Sequence, residues 1–148
     1  LSPNAMVMSW RGTKGGIEAA KQNHDVVMSP NSYFYLDYYQ ADPKTEPIAI
    51  GGNLPLSKCY SFEPNLPELT PEEAKHVVGI QANLWTEYIS NIAYAEYMTY
   101  PRALALSEIS WSTKESKNYP DFKKRLTGHL PAMDAMKINY SKAFLTQP

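Results

Sequence analysis

The apolar residues of this chain gather into three short runs, each followed by a segment of different period. Ala5-Met6-Val7-Met8-Ser9-Trp10, Asp25-Val26-Val27-Met28-Ser29 and the nine residues from His76 to Leu84 are continuous and carry β-branched side chains. That is the pattern of strands covered on both faces in a parallel sheet. Between the first two runs, the stretch from Gly15 to Gln22 predicts a short helix with Ile17 and Ala20 on its inner face. Strand, helix and strand in such close succession form a compact βαβ unit with a right-handed crossover.

From Pro30 to Pro71 the periodicity dissolves. Seven of the 12 prolines fall here, together with Gly51-Gly52. A long loop over 30–71 is expected, and structureless connections beyond about 12–15 residues are generally functional. Thr70-Pro71-Glu72-Glu73 closes it with an N-cap, a proline at the first helical position and acids in the first turn. After Glu87 the pattern turns helical: Asn91 to Met98, then Pro101 to Trp111, then Tyr119 to Met136 with Phe122, Leu126, Leu130 and Met133 three or four apart. The order is that of an α/β protein. A closed eight-stranded barrel needs at least ~200 residues. With 148 residues and three strands, the chain is either a small open sheet or the tail of a barrel.

Composition narrows the class. The chain is 43% hydrophobic and 20% charged with net charge -1, a balance of globular proteins that lacks the basic face of a nucleic-acid binder. No run reaches the ~18 apolar residues of a transmembrane helix, so no membrane partner is expected. The single Cys59 excludes an internal disulfide and reads as a partly buried spectator. His24, His76 and His129 are scattered without ligand spacing, so no metal site is expected. Tyrosine outnumbers phenylalanine 11 to 4, supplying rings with hydroxyls that suit binding surfaces. The chain opens on Leu1-Ser2-Pro3 without an initiator Met or a signal-peptide pattern, so residues are expected upstream.

In α/β folds ligands bind beyond the carboxyl ends of the strands, and here every strand ends in chemistry. The first ends at Trp10-Arg11-Gly12, the second leads to Tyr33-Phe34-Tyr35-Leu36-Asp37, and the third ends at Trp85-Thr86-Glu87. Residues i and i+2 of an extended segment face one side, so Trp85 with Glu87, and Tyr35 with Asp37, each present a ring and a carboxylate together. Rings pack on the C–H face of a pyranose, and carboxylates accept its hydroxyls. A lone Trp in a strand is more often core, and a lone acid at a strand end more often solvated or capping. The repeated ring-x-acid pair is the more specific signal.

The segments VMSWRGTKGGIEAAKQNHDVVMSP, YFYLDYYQ, GIQANLWTEYI and YPRALALSEISWS resemble, in order and over nearly the whole chain, the C-terminal part of the catalytic barrel of family 20 glycoside hydrolases, the β-N-acetylhexosaminidases. The resemblance implies that 1–148 is the C-terminal portion of a (β/α)8 TIM barrel, about strands six to eight with their helices, incomplete as a barrel. It implies an exo-acting retaining enzyme that removes terminal N-acetylglucosamine or N-acetylgalactosamine. In that family the 2-acetamido oxygen is the nucleophile and forms an oxazolinium ion. Trp10 and Trp85 resemble walls of the acetamido pocket, Tyr35 the tyrosine bonding the acetamido oxygen, and Asp37 and Glu87 the acids gripping hydroxyls around C4 and C6. Arg102, Glu108 and Trp111 also match family positions and read as helix packing and ion pairing behind the barrel.

The family's catalytic Asp-Glu pair, a further pocket tryptophan and a sugar-binding arginine have no counterpart in residues 1–148. The expectation is therefore a sugar-binding wall, inactive alone, that self-associates or joins the rest of its own polypeptide. The alternative is a non-catalytic carbohydrate-binding or scaffold module. The resemblance implies N-acetylated amino-sugar glycans as partners, no cofactor, and a periplasmic, cell-surface or secreted location.

Overall fold

The computed structural model describes residues 1–147. Three parallel strands, β1 (Val7–Ser9), β2 (Val26–Met28) and β3 (Val77–Ile80), form one sheet in that order. Val7, Met8 and Ser9 face Val26, Val27 and Met28 across the first ladder. In the second ladder Val26 pairs with Val77 and Val27 with Gly79, which leaves Val78 as an extra residue in β3. An inserted residue of this kind bends its strand and sharpens the twist.

The ordered strands are shorter than the apolar runs that predict them. Beyond Met28 the chain leaves the sheet at Pro30 for a one-turn helix, α2 (Asn31–Phe34), so β3 loses its neighbour after Gln81, whose N–H reaches Met28 O at 2.9 Å. The partner returns only at Tyr35, which bridges Asn83 in parallel fashion. The run from His76 to Leu84 is thus a strand and a separate bridge, divided where β2 steps out.

Helix α1 (Lys14–Ala20) crosses between β1 and β2. Its buried face is Gly16, Ala19 and Ala20, whereas Ile17 is only half-buried. Ala20 is on the inner face as expected, and Ile17 is not. The helix lies so close to the sheet that a Cβ on Gly16 would sit 2.5 Å from Met28 Cε and 2.9 Å from Ser9 Cβ, so small residues take the contact and Ile17 is turned aside.

The 30–71 stretch is not one loop. It contains α2, then α3 (Leu56–Tyr60), and ends at α4 (Pro71–Ala74). Leu54, Leu56, Cys59, Tyr60 and Phe62 from it are buried in the same core as Val26, Met28, Ala105, Ile109, Phe122 and Leu126. Helices of four or five residues are too short to show a period, which is why the pattern lapses. Thr70 forms the expected cap: its hydroxyl accepts from Glu73 N at 3.3 Å while Glu73 returns to Thr70 N at 2.7 Å.

The remaining helices are α5 (Ile92–Thr99), capped by Asn91, α6 (Arg102–Trp111) and α7 (Tyr119–Ala135). Phe122, Leu126 and Met133 of α7 are buried, with Leu130 half-buried at the edge. Glu108 of α6 receives both terminal nitrogens of Arg125 at 2.6 and 2.8 Å and the Tyr60 hydroxyl at 2.9 Å. The expected ion pairing is present there. Trp111, expected to pack, is 92% exposed, because the last turn of α6 carries it past the core.

Met6, Met8 and Val78 remain exposed. The fold is α/β and not a closed barrel.

Candidate functional site

The three strand exits converge. Met8, Trp10, Tyr35, Asp37, Tyr38, Ile50, Trp85 and Glu87 line one hollow of about 540 Å³. Every site residue predicted from sequence is among them. Met8, Tyr38 and Ile50 were not predicted: Tyr38 lies one step beyond the ring-x-acid pair, and Ile50 sits in a stretch without periodicity.

Local bonds fix each group. Ser9 Oγ donates to Gly12 O at 2.7 Å and accepts from Gly16 N at 2.9 Å. This folds the chain back directly after β1, a turn that Gly12 permits with φ of 112°. Trp10 sits at that turn, its carbonyl accepting from Asn31 N at 2.9 Å. Arg11 covers one face of the indole, its guanidinium carbon 4.7 Å from the ring centre.

Tyr35 and Asp37 follow α2. Their segment is tied to the continuation of β3 by Leu36 N to Asn83 O at 2.7 Å and Asn83 N to Phe34 O at 2.8 Å. The Asn83 amide is itself held by Ser29 Oγ at 2.6 Å and by Gln81 Nε2 at 2.7 Å. One bridge thus sets the register of Tyr35-Leu36-Asp37 beside that of Trp85-Thr86-Glu87, and the two ring-x-acid pairs face the same space. The Tyr35 ring lies 6.1 Å from Trp85 at 60° and 5.8 Å from Tyr38 at 62°, tilted contacts suited to aromatic quadrupoles.

The two carboxylates differ. Glu87 is exposed. Asp37 is 6% exposed, and its buried Oδ1 has no hydrogen-bond partner in the protein. Burial pushes the Asp37 carboxyl above the usual carboxylate range. Its own backbone amide and that of Trp85 pull it back, the nearby Glu87 charge adds to the rise, and Arg102 opposes it. A buried acceptor without a partner in the protein is costly to desolvate. Trp10 and Trp85, 38% and 47% exposed, offer broad apolar surfaces beside it. The arrangement accepts hydroxyl donors at one end and stacks C–H faces at the other.

A second hollow of about 540 Å³ lies between α6 and α7, lined by Leu104, Phe122, Leu126, Met133 and their neighbours. Its charged pair, Glu108 and Arg125, is mutually engaged, and it has no ring-x-acid pair. Among the described residues no three His, Cys, Asp or Glu side chains are grouped to hold a metal ion, and no helix is long and apolar enough to cross a membrane. Cys59 is buried and its thiol is pushed up to about 12, so it is inert as a nucleophile at neutral pH.

The family model for glycosyl hydrolase family 20, catalytic domain, matches residues 1–114. A beta-hexosaminidase of Porphyromonas gingivalis is 46% identical across 100% of this chain and 19% of its own length. A beta-N-acetylhexosaminidase of Cellulomonas fimi is 31% identical across 95% of this chain and 29% of its own. Among solved structures, the GH20 exo beta-N-acetylglucosaminidase of Vibrio harveyi in complex with N-acetylglucosamine matches with a TM-score of 0.85 at 34% identity. That match covers 97% of this chain and 23% of that one. The GH20 beta-N-acetylhexosaminidase of Streptomyces coelicolor A3(2) gives 0.80 at 28% identity over 93% of this chain and 29% of its own. The chain spans between 19% and 29% of these proteins.

Proposed function

The chain belongs to glycosyl hydrolase family 20, and from that premise we propose that it is the sugar-binding wall of an exo-acting, retaining β-N-acetylhexosaminidase. The observation that carries the reading is the meeting of Trp10, Tyr35, Asp37, Trp85 and Glu87 around one hollow, with a buried Asp37 oxygen left unpaired.

The substrate is a glycan ending in N-acetylglucosamine or N-acetylgalactosamine, whose acetamido oxygen attacks the anomeric carbon. Trp10 and Trp85 flank the acetamido methyl. The Tyr35 hydroxyl donates to the acetamido oxygen, holding it in line and stabilising charge as the ring closes. Asp37 and Glu87 accept the hydroxyls at the far end of the sugar. A pocket that grips a terminal ring at both ends suits an exo mode. No Asp-Glu dipeptide occurs in residues 1–148, so the proton donor and the carboxylate orienting the acetamido N–H are assigned outside this chain.

The strands are read as the sixth to eighth of a (β/α)8 barrel. All-parallel sheets occur almost only with both faces covered. The exposed Met6, Met8 and Val78 are accordingly the surface on which the other barrel strands close.

The test compares the natural polypeptide carrying these residues with its Tyr35→Phe variant on an aryl N-acetyl-β-glucosaminide. Losing one oxyanion-type donor lowers kcat by roughly ten- to a thousandfold, with KM changed far less. An unchanged kcat removes Tyr35 from the mechanism, and an inactive parent polypeptide removes the whole reading.

A further inference from the structure

Arg102 opens α6 fully out of solvent and does not line the hollow. Its planar fork nevertheless reaches the site's scaffold. Nη1 donates to Tyr38 O at 3.0 Å and Leu54 O at 3.1 Å, and Nη2 donates to Leu36 O and Met98 O at 2.5 Å each. Leu36 and Tyr38 are the two neighbours of Asp37.

The clamp has two sides. Leu36 N–H is bound by Asn83 O at 2.7 Å, and Leu36 C=O is bound by Arg102. Both main-chain groups of the residue between Tyr35 and Asp37 are thereby fixed, one toward the strand and one toward the helix. Through Leu54 the same guanidinium holds the far end of the loop that carries Gly51 and Gly52 behind Tyr38.

Helix packing alone does not require this group. A buried guanidinium carries a desolvation penalty that an apolar side chain of similar volume avoids. It remains charged at neutral pH, since burial brings it down only to about 10. What an apolar side chain cannot supply is a rigid set of donors pointing at four separate carbonyls.

We infer that Arg102 is a positioning residue: from outside the pocket it sets where Asp37 presents its carboxylate to the sugar. The inference rests on the reading of the hollow as an N-acetylhexosamine site. It adds a part of the molecule that packing behind the sheet does not explain.

The test uses the natural polypeptide with Arg102→Lys, which keeps the charge but replaces the fork with a single ammonium. Arg102→Met is the harsher companion. Rates are corrected for folded protein by circular dichroism and measured on an aryl N-acetyl-β-glucosaminide and its 4-deoxy and 6-deoxy counterparts. A shift of about 1 Å at such a site costs on the order of a hundredfold. Arg102→Lys is expected to lower kcat/KM for the full substrate by roughly ten- to a hundredfold, and to lower it much less for the deoxy sugars. The wild-type preference for intact hydroxyls then collapses.

A folded Arg102→Lys protein that keeps the wild-type preference overturns the positioning role while leaving the sugar-site reading intact. So does failure of Arg102→Lys to fold at any temperature, which assigns the residue to the core alone. A wild-type polypeptide that is inactive, or indifferent to the missing hydroxyls, overturns the sugar-site reading itself.

Discussion

Gly51 and Gly52 lie side by side and allow the aromatic floor of the hollow to be displaced by one methyl group, with a built-in control. Both have positive φ, 134° and 68°, conformations that L side chains adopt only under strain. A Cβ on Gly51 meets nothing within 4 Å, whereas one on Gly52 lies 2.3, 2.5 and 2.8 Å from Cδ2, Cγ and Cε2 of Tyr38. Gly51→Ala therefore costs backbone strain alone, about 1–3 kcal/mol. Gly52→Ala costs about 1–2 kcal/mol for the left-handed backbone and a further ~1–3 kcal/mol for overpacking against the ring. Restoring ordinary carbon–carbon contact near 3.5 Å moves the Tyr38 ring by roughly 1 Å. That ring lines the hollow and abuts Tyr35 at 5.8 Å between centroids, so the displacement arrives at the site. Both variants should lower the urea midpoint of the natural polypeptide. Only Gly52→Ala should reduce kcat/KM per folded molecule toward N-acetyl-β-glucosaminides, by on the order of a hundredfold. Equal losses in the two variants, or an unchanged rate in Gly52→Ala, would refute the route through Tyr38.

Asp37 gives two further predictions and Cys59 a third. The folded-state pKa of Asp37 is raised above 3.8, so between those two values the folded chain binds more protons than the unfolded one. Asp37 then favours the folded state fully below 3.8 and loses that contribution as pH rises through the raised value; Asp37→Asn should raise Tm at neutral pH. Sugar affinity should run the opposite way: acidification protonates the acceptor from above the usual carboxylate range and weakens binding, and calorimetric titration of N-acetylglucosamine should find this dependence lost in Asp37→Asn. Cys59, with its thiol pushed up to about 12, should react with a thiol reagent at pH 8 only as fast as the chain unfolds. Rapid labelling under native conditions would contradict its burial.

Much of the site was legible because two facts of strand geometry suffice for it. Ligands gather at the carboxyl ends of parallel strands, and alternate residues of an extended segment share a side. Trp10, Tyr35 with Asp37, and Trp85 with Glu87 obey both. The errors arose where tertiary contact overrides local pattern. Gly16 displaces Ile17 from the buried face because the sheet lies within a Cβ radius of α1. The apolar run from His76 to Leu84 splits because β2, not β3, leaves the sheet. Tyr38 and Ile50 lacked a signal, since their place in the hollow depends on how 39–54 folds back: Tyr39 N reaches Gly51 O at 3.3 Å and Leu54 N reaches Tyr39 O at 2.7 Å. Arg102 reads in sequence as one more helical cation, and its four carbonyl partners lie up to 66 residues away.

Exposed aromatic surface alone does not locate the site. Trp111 is far more exposed than Trp10 or Trp85, yet it belongs to neither hollow. What separates the strand-end rings from Trp111 is the polar group placed with them. Asp37 is almost fully buried with one oxygen unpaired, a placement whose desolvation its protein partners offset only in part. Under the proposed reading, a sugar hydroxyl bound to the Asp37 carboxylate, with the sugar's C–H face over the neighbouring rings, relieves both deficits with one molecule. That molecule must be polar at one end and apolar across a face, as a pyranose is. An apolar ligand would leave the acid unpaired, and a small polyol would leave the rings wet. The chemistry of the hollow therefore fits the proposed sugar better than either alternative.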